Sequence, residues 1–134
     1  MYIEVPLGEV VDKVSILLLK EERMGDATQV ARVREELGSL RASWRDAGLV
    51  PMEGLQAWEG LRRVNGQLWE VEDALREHER RQDFGPAFVA LARSVYHLND
   101  ERARLKADIN AALGSRLAEQ KSYAPYGGED AGAS

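Results

Sequence analysis

The chain has 134 residues, a length that fits one domain, and it contains no Cys, which excludes disulfides, zinc–thiolate sites and a cysteine nucleophile. Its 18 Lys and Arg against 23 Asp and Glu give a formal net charge of −5, so we expect no nucleic-acid partner. No apolar run approaches the roughly 20 residues of a membrane span, and the acidic residues within positions 1–14 do not fit a signal peptide. We therefore expect a cytoplasmic protein with no membrane segment.

Apolar residues recur at spacings of three and four along most of the chain, which is the rhythm of amphipathic helices. Capping residues, Gly stops and Pro starts divide this pattern into segments. Four helices are predicted, at roughly 7–24, from a cap at Asp26 or Thr28 to a break at 47–51, from Pro51 to about Gln82, and from Pro86 to Gly114. Residues 2–5 alternate like a short extended arm, and the composition after Tyr123 predicts a flexible tail at 124–134.

Short connections make neighbouring helices antiparallel, so the predicted fold class is all-α, an up-and-down bundle of about four helices in one domain, residues 1–123. At about 1.5 Å per residue, the third and fourth helices are roughly 45 Å long and the first two about 25–30 Å. The hairpin of the third and fourth helices therefore extends beyond the others, with an apolar row that they cannot cover. A twofold partner is the commonest cover for such a surface, which predicts a homodimer.

Residues 8–17, GEVVDKVSIL, resemble the opening G-E-[LI]-[VI]-D-K-[IL]-[TS]-I-L of a bacterial family, domain of unknown function 6165. Pro6 departs from that pattern, because it stands where the family has Ser and so removes a Ser-x-x-Glu capping box around Glu9. The family has no assigned activity, and the resemblance implies a helical protein linked to glycosyltransferase or surface-polysaccharide pathways. It continues to Tyr123 through residues 20–23, 33–37, Asn65, 68–73, 83–84, 91–96, 99–100, 102–103, Lys106, 109–110, Glu119 and 121–123.

Two pairs of acids, Glu9 with Asp12 and Glu70 with Asp73, are spaced so that each pair lies on one helix face. Two such faces can hold Mg²⁺ through oxygen ligands, as in all-α nucleotide pyrophosphohydrolases, but those enzymes use denser sets of acids. In a chain that is 31% charged, pairs at this spacing arise readily on solvated surfaces. We therefore predict no metal site and no cofactor.

Arg102 interrupts the apolar row of the fourth helix, between Leu98 and Leu105. An Arg in such a row must pair with a carboxylate, or keep its charged head in water while its stem packs. We predict a structural ion pair with Asp12 or Asp73. The alternative is an anion-binding pocket, and its ligand-binding residues would be Asp12, Lys13, Asp73, Asn99, Arg102 and Lys106.

The other residues with distinctive chemistry have simpler interpretations. His78 and His97 lie in polar or amphipathic contexts, and neither is predicted to be catalytic or to bind a metal. Trp44, Trp58 and Trp69 stand at helical spacing near apolar residues and are predicted to anchor the core or an interface.

These patterns favour a small helical interaction or assembly module that forms a homodimer or binds another protein. The alternative is a ligand-binding protein or enzyme whose charged interhelical pocket takes a nucleotide or sugar-nucleotide anion, with or without Mg²⁺. An enzyme should leave charged residues unpaired in a pocket, whereas a module should show them paired with one another and an apolar patch outside. The segment Lys121-Ser122-Tyr123 either docks on the bundle or a partner, or is a solvated arm.

Overall fold

Four α-helices joined by short segments make up the structure, a computed structural model that describes residues 3–114. The helices are α1 (Leu7–Arg23), α2 (Ala27–Asp46), α3 (Trp58–Arg80) and α4 (Pro86–Leu113), and the described residues contain no strand. α1 packs on each of the other three helices, α3 and α4 form a hairpin, and α2 packs mainly on α1. The all-α prediction is confirmed. The predicted tail at 124–134 and the segment Lys121-Ser122-Tyr123 lie outside the described residues.

The ends of α2 and α4 follow local capping chemistry. The Asp26 carboxylate accepts hydrogen bonds from the backbone N–H groups of Thr28 at 2.9 Å and Gln29 at 3.0 Å, which caps α2. α4 begins at Pro86, and it ends before Gly114, whose φ of 64° is a left-handed conformation that glycine adopts at little cost. Both signals were readable in the sequence.

The start predicted for the third helix is wrong. Pro51 is followed by a single 3-10 turn, Met52–Gly54, and α3 begins only at Trp58. Met52 is buried and Leu55, in extended conformation, packs against the core. The 3-10 turn and the extended residue after it thus let both side chains pack on the core.

The hydrophobic core lies between α1, the first half of α3 and the last turns of α4, with α2 closing it from the far side of α1. Trp44 and Trp58 are buried in this core, as the sequence predicts, and the Trp44 indole N–H donates to the Val50 carbonyl at 2.7 Å. Trp69 is half-buried. The most enclosed core side chains are Val11, Val14, Leu61 and Val64, all 0% exposed, and Ile109 at 1%.

The half of the α3–α4 hairpin that contains its turn is not part of this core. The last buried residue of α3 is Leu68, and the first buried residue of α4 is Lys106. We call residues 69–101 the distal hairpin. Its apolar row is only half-buried between the two helices, and three of its large apolar side chains are exposed: Phe84 at 48%, Val89 at 49% and Tyr96 at 62%.

A buried polar layer as the candidate functional site

Asp12 is the centre of a polar layer where α1, α3 and α4 meet. Asp12 is 2% exposed, and its carboxylate accepts hydrogen bonds from side chains of both α3 and α4. Arg102 of α4 donates from Nε to Oδ1 at 3.0 Å and from Nη2 to Oδ2 at 2.5 Å, a bidentate pair. The Asn65 amide of α3 donates to the same carboxylate at 3.0 Å. The prediction that Arg102 pairs with an acid of the first or third helix is confirmed, and the acid is Asp12.

Asn65 joins the Asp12 pair to a second buried side chain. Its Nδ2 also donates to the Ser15 hydroxyl at 3.3 Å, so the amide serves acceptors on α1 one turn apart. Asn65 is 5% exposed and Ser15 is 2% exposed. Because buried polar groups are costly when unpaired, these bonds fix the position of α1 along the hairpin.

A second pair of contacts ties the beginning of α1 to the end of α4. The buried Lys106 ammonium lies 2.5 Å from a Glu9 carboxylate oxygen, and the Asn110 side-chain oxygen accepts from the Gly8 backbone N–H at 2.7 Å. Pro6 makes no side-chain cap for α1. Asn110 therefore satisfies, from another helix, one of the free N–H groups that a local cap would have satisfied.

Gly8 is the residue that lets the two helices come so close. A Cβ at this position would lie 2.5 Å from the Lys106 carbonyl oxygen and 2.9 Å from the Asn110 Oδ1. Real Cβ atoms do not approach backbone oxygens to this distance, so a side chain here requires the helices to separate. The glycine is thus a packing requirement of the polar layer.

The layer balances its own charges. Glu9 and Asp12 face Lys106 and Arg102, and each acid contacts one of the two cations directly. Arg102 keeps 28% of its side chain exposed, whereas the Asp12 side chain keeps 3%. The arrangement locks α1 to the hairpin, and the Asp12 carboxylate takes two of the five N–H donors of the Arg102 guanidinium.

The six residues predicted for an anion pocket do not all meet. Asp12, Arg102 and Lys106 share the polar layer. Lys13 is exposed and pairs with Glu36 of α2 at 2.9 Å, and Asp73 is exposed and pairs with Arg76 on its own helix. Asn99 is exposed on α4. The ligand-binding role of this set stays a prediction.

The weak metal candidates are also separated. Glu9 pairs with Lys106, as described above, and Glu70 lies 3.5 Å from Arg23 on the exposed side of α3. Residues 3–114 contain no group of three or more His, Cys, Asp or Glu placed to hold a metal ion. His78 Nδ1 lies 3.1 Å from the Asp83 carbonyl oxygen at the hairpin turn, and His97 is exposed.

Ser15, Asn65 and Asn110 belong to the layer and were not predicted as members of it. A signal for Asn65 was present, because it stands four residues after Leu61 and three before Leu68 in the apolar row of α3. This is the same signal that singled out Arg102. Asn110 gave no such signal, because it stands beside Ile109 and does not interrupt the apolar row of α4.

A shallow groove of about 350 Å³ lies between the C-terminal end of α1 and α3. Its charged lining is balanced, with three arginines and three glutamates. Arg62 is 3.9 Å from Glu22 and stacks 6.0 Å from the centre of the Trp58 ring. A groove with this balance does not concentrate positive charge for a nucleotide phosphate.

The fold and this layer define a small all-α protein whose charged residues join its helices. The model of a family of unknown function, DUF6165, matches residues 1–128. The chain belongs to that family. No curated protein and no solved structure matches it, so the link to glycosyltransferase or surface-polysaccharide pathways stays a prediction. None of the helices within residues 3–114 is long and apolar enough to cross a membrane.

Proposed function

We propose that the protein is a helical assembly module whose working form is a homodimer. The observation that carries the proposal is the distal hairpin, residues 69–101, where α3 and α4 extend past their last and first buried residues, Leu68 and Lys106, and their apolar row is only half-buried. Helices of this kind owe most of their stability to burial of an apolar face. A second copy supplies that burial.

The charged residues support the same conclusion. In the ligand-binding alternative, the acids and bases of the interhelical site would converge on a space for the ligand. Instead Asp12 is bound by Arg102 and Asn65, and Glu9 by Lys106. This pairing is what we expect of a module whose polar residues fix the packing of its helices.

The position of the exposed apolar side chains also favours assembly. Three of the six large apolar side chains that are exposed among the described residues, Phe84, Val89 and Tyr96, lie on the distal hairpin, and exposed apolar residues that share one element are typical of interaction surfaces. The α3 helix of the same hairpin carries exposed charges of both signs, including Asp73, Arg76, Glu77 and Arg80.

The test is the molar mass in solution by light scattering, with a matched pair of variants. The wild-type chain should give twice 15.0 kDa, about 30 kDa. Val89→Glu should give the monomer with unchanged helicity, because it places a charge in the interface. Val50→Glu should leave the dimer intact, since Val50 is similarly exposed, at 53%, but lies before the 3-10 turn and outside the hairpin. Equal masses for the two variants would contradict the proposal.

A thermal-shift screen against nucleotides, sugar nucleotides and Mg²⁺ tests the ligand-binding alternative. A ligand that binds only the native state raises its melting temperature. We expect no shift. A shift that disappears in Arg102→Met, with the variant still folded, would move the function to anion recognition at the polar layer.

A further inference from the structure

Asn65 is followed in the sequence by Gly66, and this pair is the one Asn-Gly step of the chain. Asn is a chemically labile residue, and a following glycine makes it more so, because a residue without Cβ lets its backbone nitrogen approach the Asn side chain. That nitrogen gives its proton to solvent and bonds to the Asn Cγ. The bond from Cγ to Nδ2 breaks, and the side-chain nitrogen leaves as ammonia with a proton from solvent. Water then opens the cyclic imide to Asp or to isoaspartate, so the step needs no reactant besides water.

The folded chain keeps both reacting groups engaged. Gly66 lies inside α3, where each backbone N–H is bonded to the carbonyl four residues earlier. The Asn65 amide donates to Asp12 at 3.0 Å and to Ser15 at 3.3 Å, and the residue is 5% exposed. For the ring to close, the Gly66 nitrogen must leave its helical hydrogen bond, and the amide must leave the polar layer. We therefore expect the reaction only where this part of α3 unfolds.

The packing around Gly66 does not require a glycine. A Cβ at this position would meet a single atom within 4 Å, Nη2 of Arg23, at the ordinary contact distance of 4.0 Å. This differs from Gly8, where a Cβ would lie 2.5 Å from a backbone oxygen. Because Ala also forms helices more readily than Gly, Gly66→Ala removes the Asn-Gly step and leaves the polar layer intact.

The acid that the reaction produces does not suit the polar layer. The nitrogen that is lost is the atom that donates to Asp12 and Ser15. A carboxylate in its place sets a second anionic side chain against Asp12, in a site where both residues are at most 5% exposed. Arg102 already binds Asp12, and Lys106 already pairs with Glu9. Buried like charges in contact oppose folding, and isoaspartate would in addition lengthen the backbone of α3.

We propose that Asn65-Gly66 is a deamidation site that the folded protein keeps unreactive and that unfolding of α3 opens. A chain that stays unfolded is converted to an acid that cannot rebuild the polar layer, so its unfolding becomes irreversible. The lifetime of the protein is thereby coupled to the stability of the layer. A substitution that weakens the layer, such as Arg102→Ala, raises the population of the open form and speeds the modification.

The test is mass spectrometry of tryptic peptides after parallel incubations of the full chain in mildly alkaline buffer, with and without guanidinium chloride. Trypsin cuts after Arg63 and Arg76, so the peptide 64–76 contains Asn65 as its only Asn. The unfolded wild type should convert Asn65 to the acid, and the folded wild type should not. After dilution from guanidinium, the converted fraction should fail to regain native tryptophan fluorescence.

The chain offers controls for each step. Gly66→Ala should stay largely unconverted in guanidinium and should regain native fluorescence on dilution. Asn99, which is exposed in the folded protein and followed by Asp100, reports the background rate of an Asn without a glycine after it. In native buffer, Arg102→Ala should convert Asn65 faster than the wild type does.

Two substitutions test the effect of the product separately. Asn65→Asp adds the carboxylate, whereas Asn65→Ala removes the amide without adding a charge. Near neutral pH both should lower the melting temperature, and Asn65→Asp should lower it more.

Three results would overturn the proposal. Equal conversion of Asn65 in the folded and unfolded wild type would show that the fold gives no protection. Conversion in guanidinium no faster than that of Asn99 would show that the Asn-Gly step is not reactive. An Asn65→Asp variant that melts no lower than Asn65→Ala would show that the polar layer accepts the acid.

Discussion

Arg102→Ala is the substitution whose effect the structure specifies best. It removes both donors that the guanidinium gives to the Asp12 carboxylate and leaves that carboxylate with the Asn65 amide. Breaking a buried ion pair on one side costs about 3–5 kcal/mol, because a charge stays behind without compensation. The Arg102 side chain is 28% exposed, so water can enter the vacated space. We therefore expect a loss at the lower end, about 3 kcal/mol in the free energy of unfolding.

Two further variants separate the charge from the packing. Arg102→Met refills the volume of the Arg stem but still leaves Asp12 unpaired, so its cost should lie between those of the wild type and Arg102→Ala. Asp12→Ala leaves the guanidinium, which already reaches solvent and can turn outward, so this loss should also be smaller than that of Arg102→Ala. A double-mutant cycle of the two Ala variants should give a coupling of about 1–3 kcal/mol.

Urea unfolding followed by tryptophan fluorescence and far-UV circular dichroism measures these losses. Trp44 and Trp58 are buried, so their fluorescence reports unfolding of the core. All variants should be compared at one protein concentration, because association stabilises the native state. A cost below about 1 kcal/mol for Arg102→Ala, at an unchanged denaturant slope, would refute the structural role of the pair. Loss of anion binding at unchanged stability would make Arg102 a recognition residue.

Three smaller predictions concern single contacts. Gly8→Ala should destabilise the protein by about 1–3 kcal/mol in urea unfolding because its Cβ meets the α4 backbone, whereas Gly38→Ala, with open space around it in α2, should stabilise by up to about 1 kcal/mol. Asp26→Ala should cost about 1 kcal/mol by the same measurement because the α2 cap is lost. The hydrogen bond from Arg80 lowers the pKa of Glu77, so an NMR titration should show that pKa returning towards its ordinary value in Arg80→Gln. A lowered carboxyl pKa adds stability above the unfolded-state pKa, and this contribution is lost as the pH falls through the folded-state pKa.

Much of the fold could be predicted from apolar spacing and local caps. Pro86 and Gly114 bound α4 where the sequence placed them, and Asp26 caps α2. The start of α3 could not be predicted, because the break after Pro51 depends on how Met52 packs against the core. The start of α3 is therefore set by tertiary packing, which local helix propensity does not describe.

The candidate site was predictable only where a polar residue interrupts an apolar row. Arg102 met that condition and its partner Asp12 was among the expected acids. Lys13 follows Asp12 directly, so it points about 100° away around the helix and contacts α2 instead. Asp73 lies eight residues beyond Asn65, about 12 Å along α3, too far to share the layer.

Amide hydrogen exchange at two protein concentrations is the decisive measurement for the homodimer, because it reports both association and its location. We expect residues 86–98 of α4 to be protected at about 100 µM and to lose that protection on dilution to about 1 µM or below, while α1 near Asp12 is unaffected. Fast exchange of the distal hairpin at both concentrations, together with a molar mass in solution equal to the 15.0 kDa of one chain, would show that the protein is a monomer and contradict the homodimer.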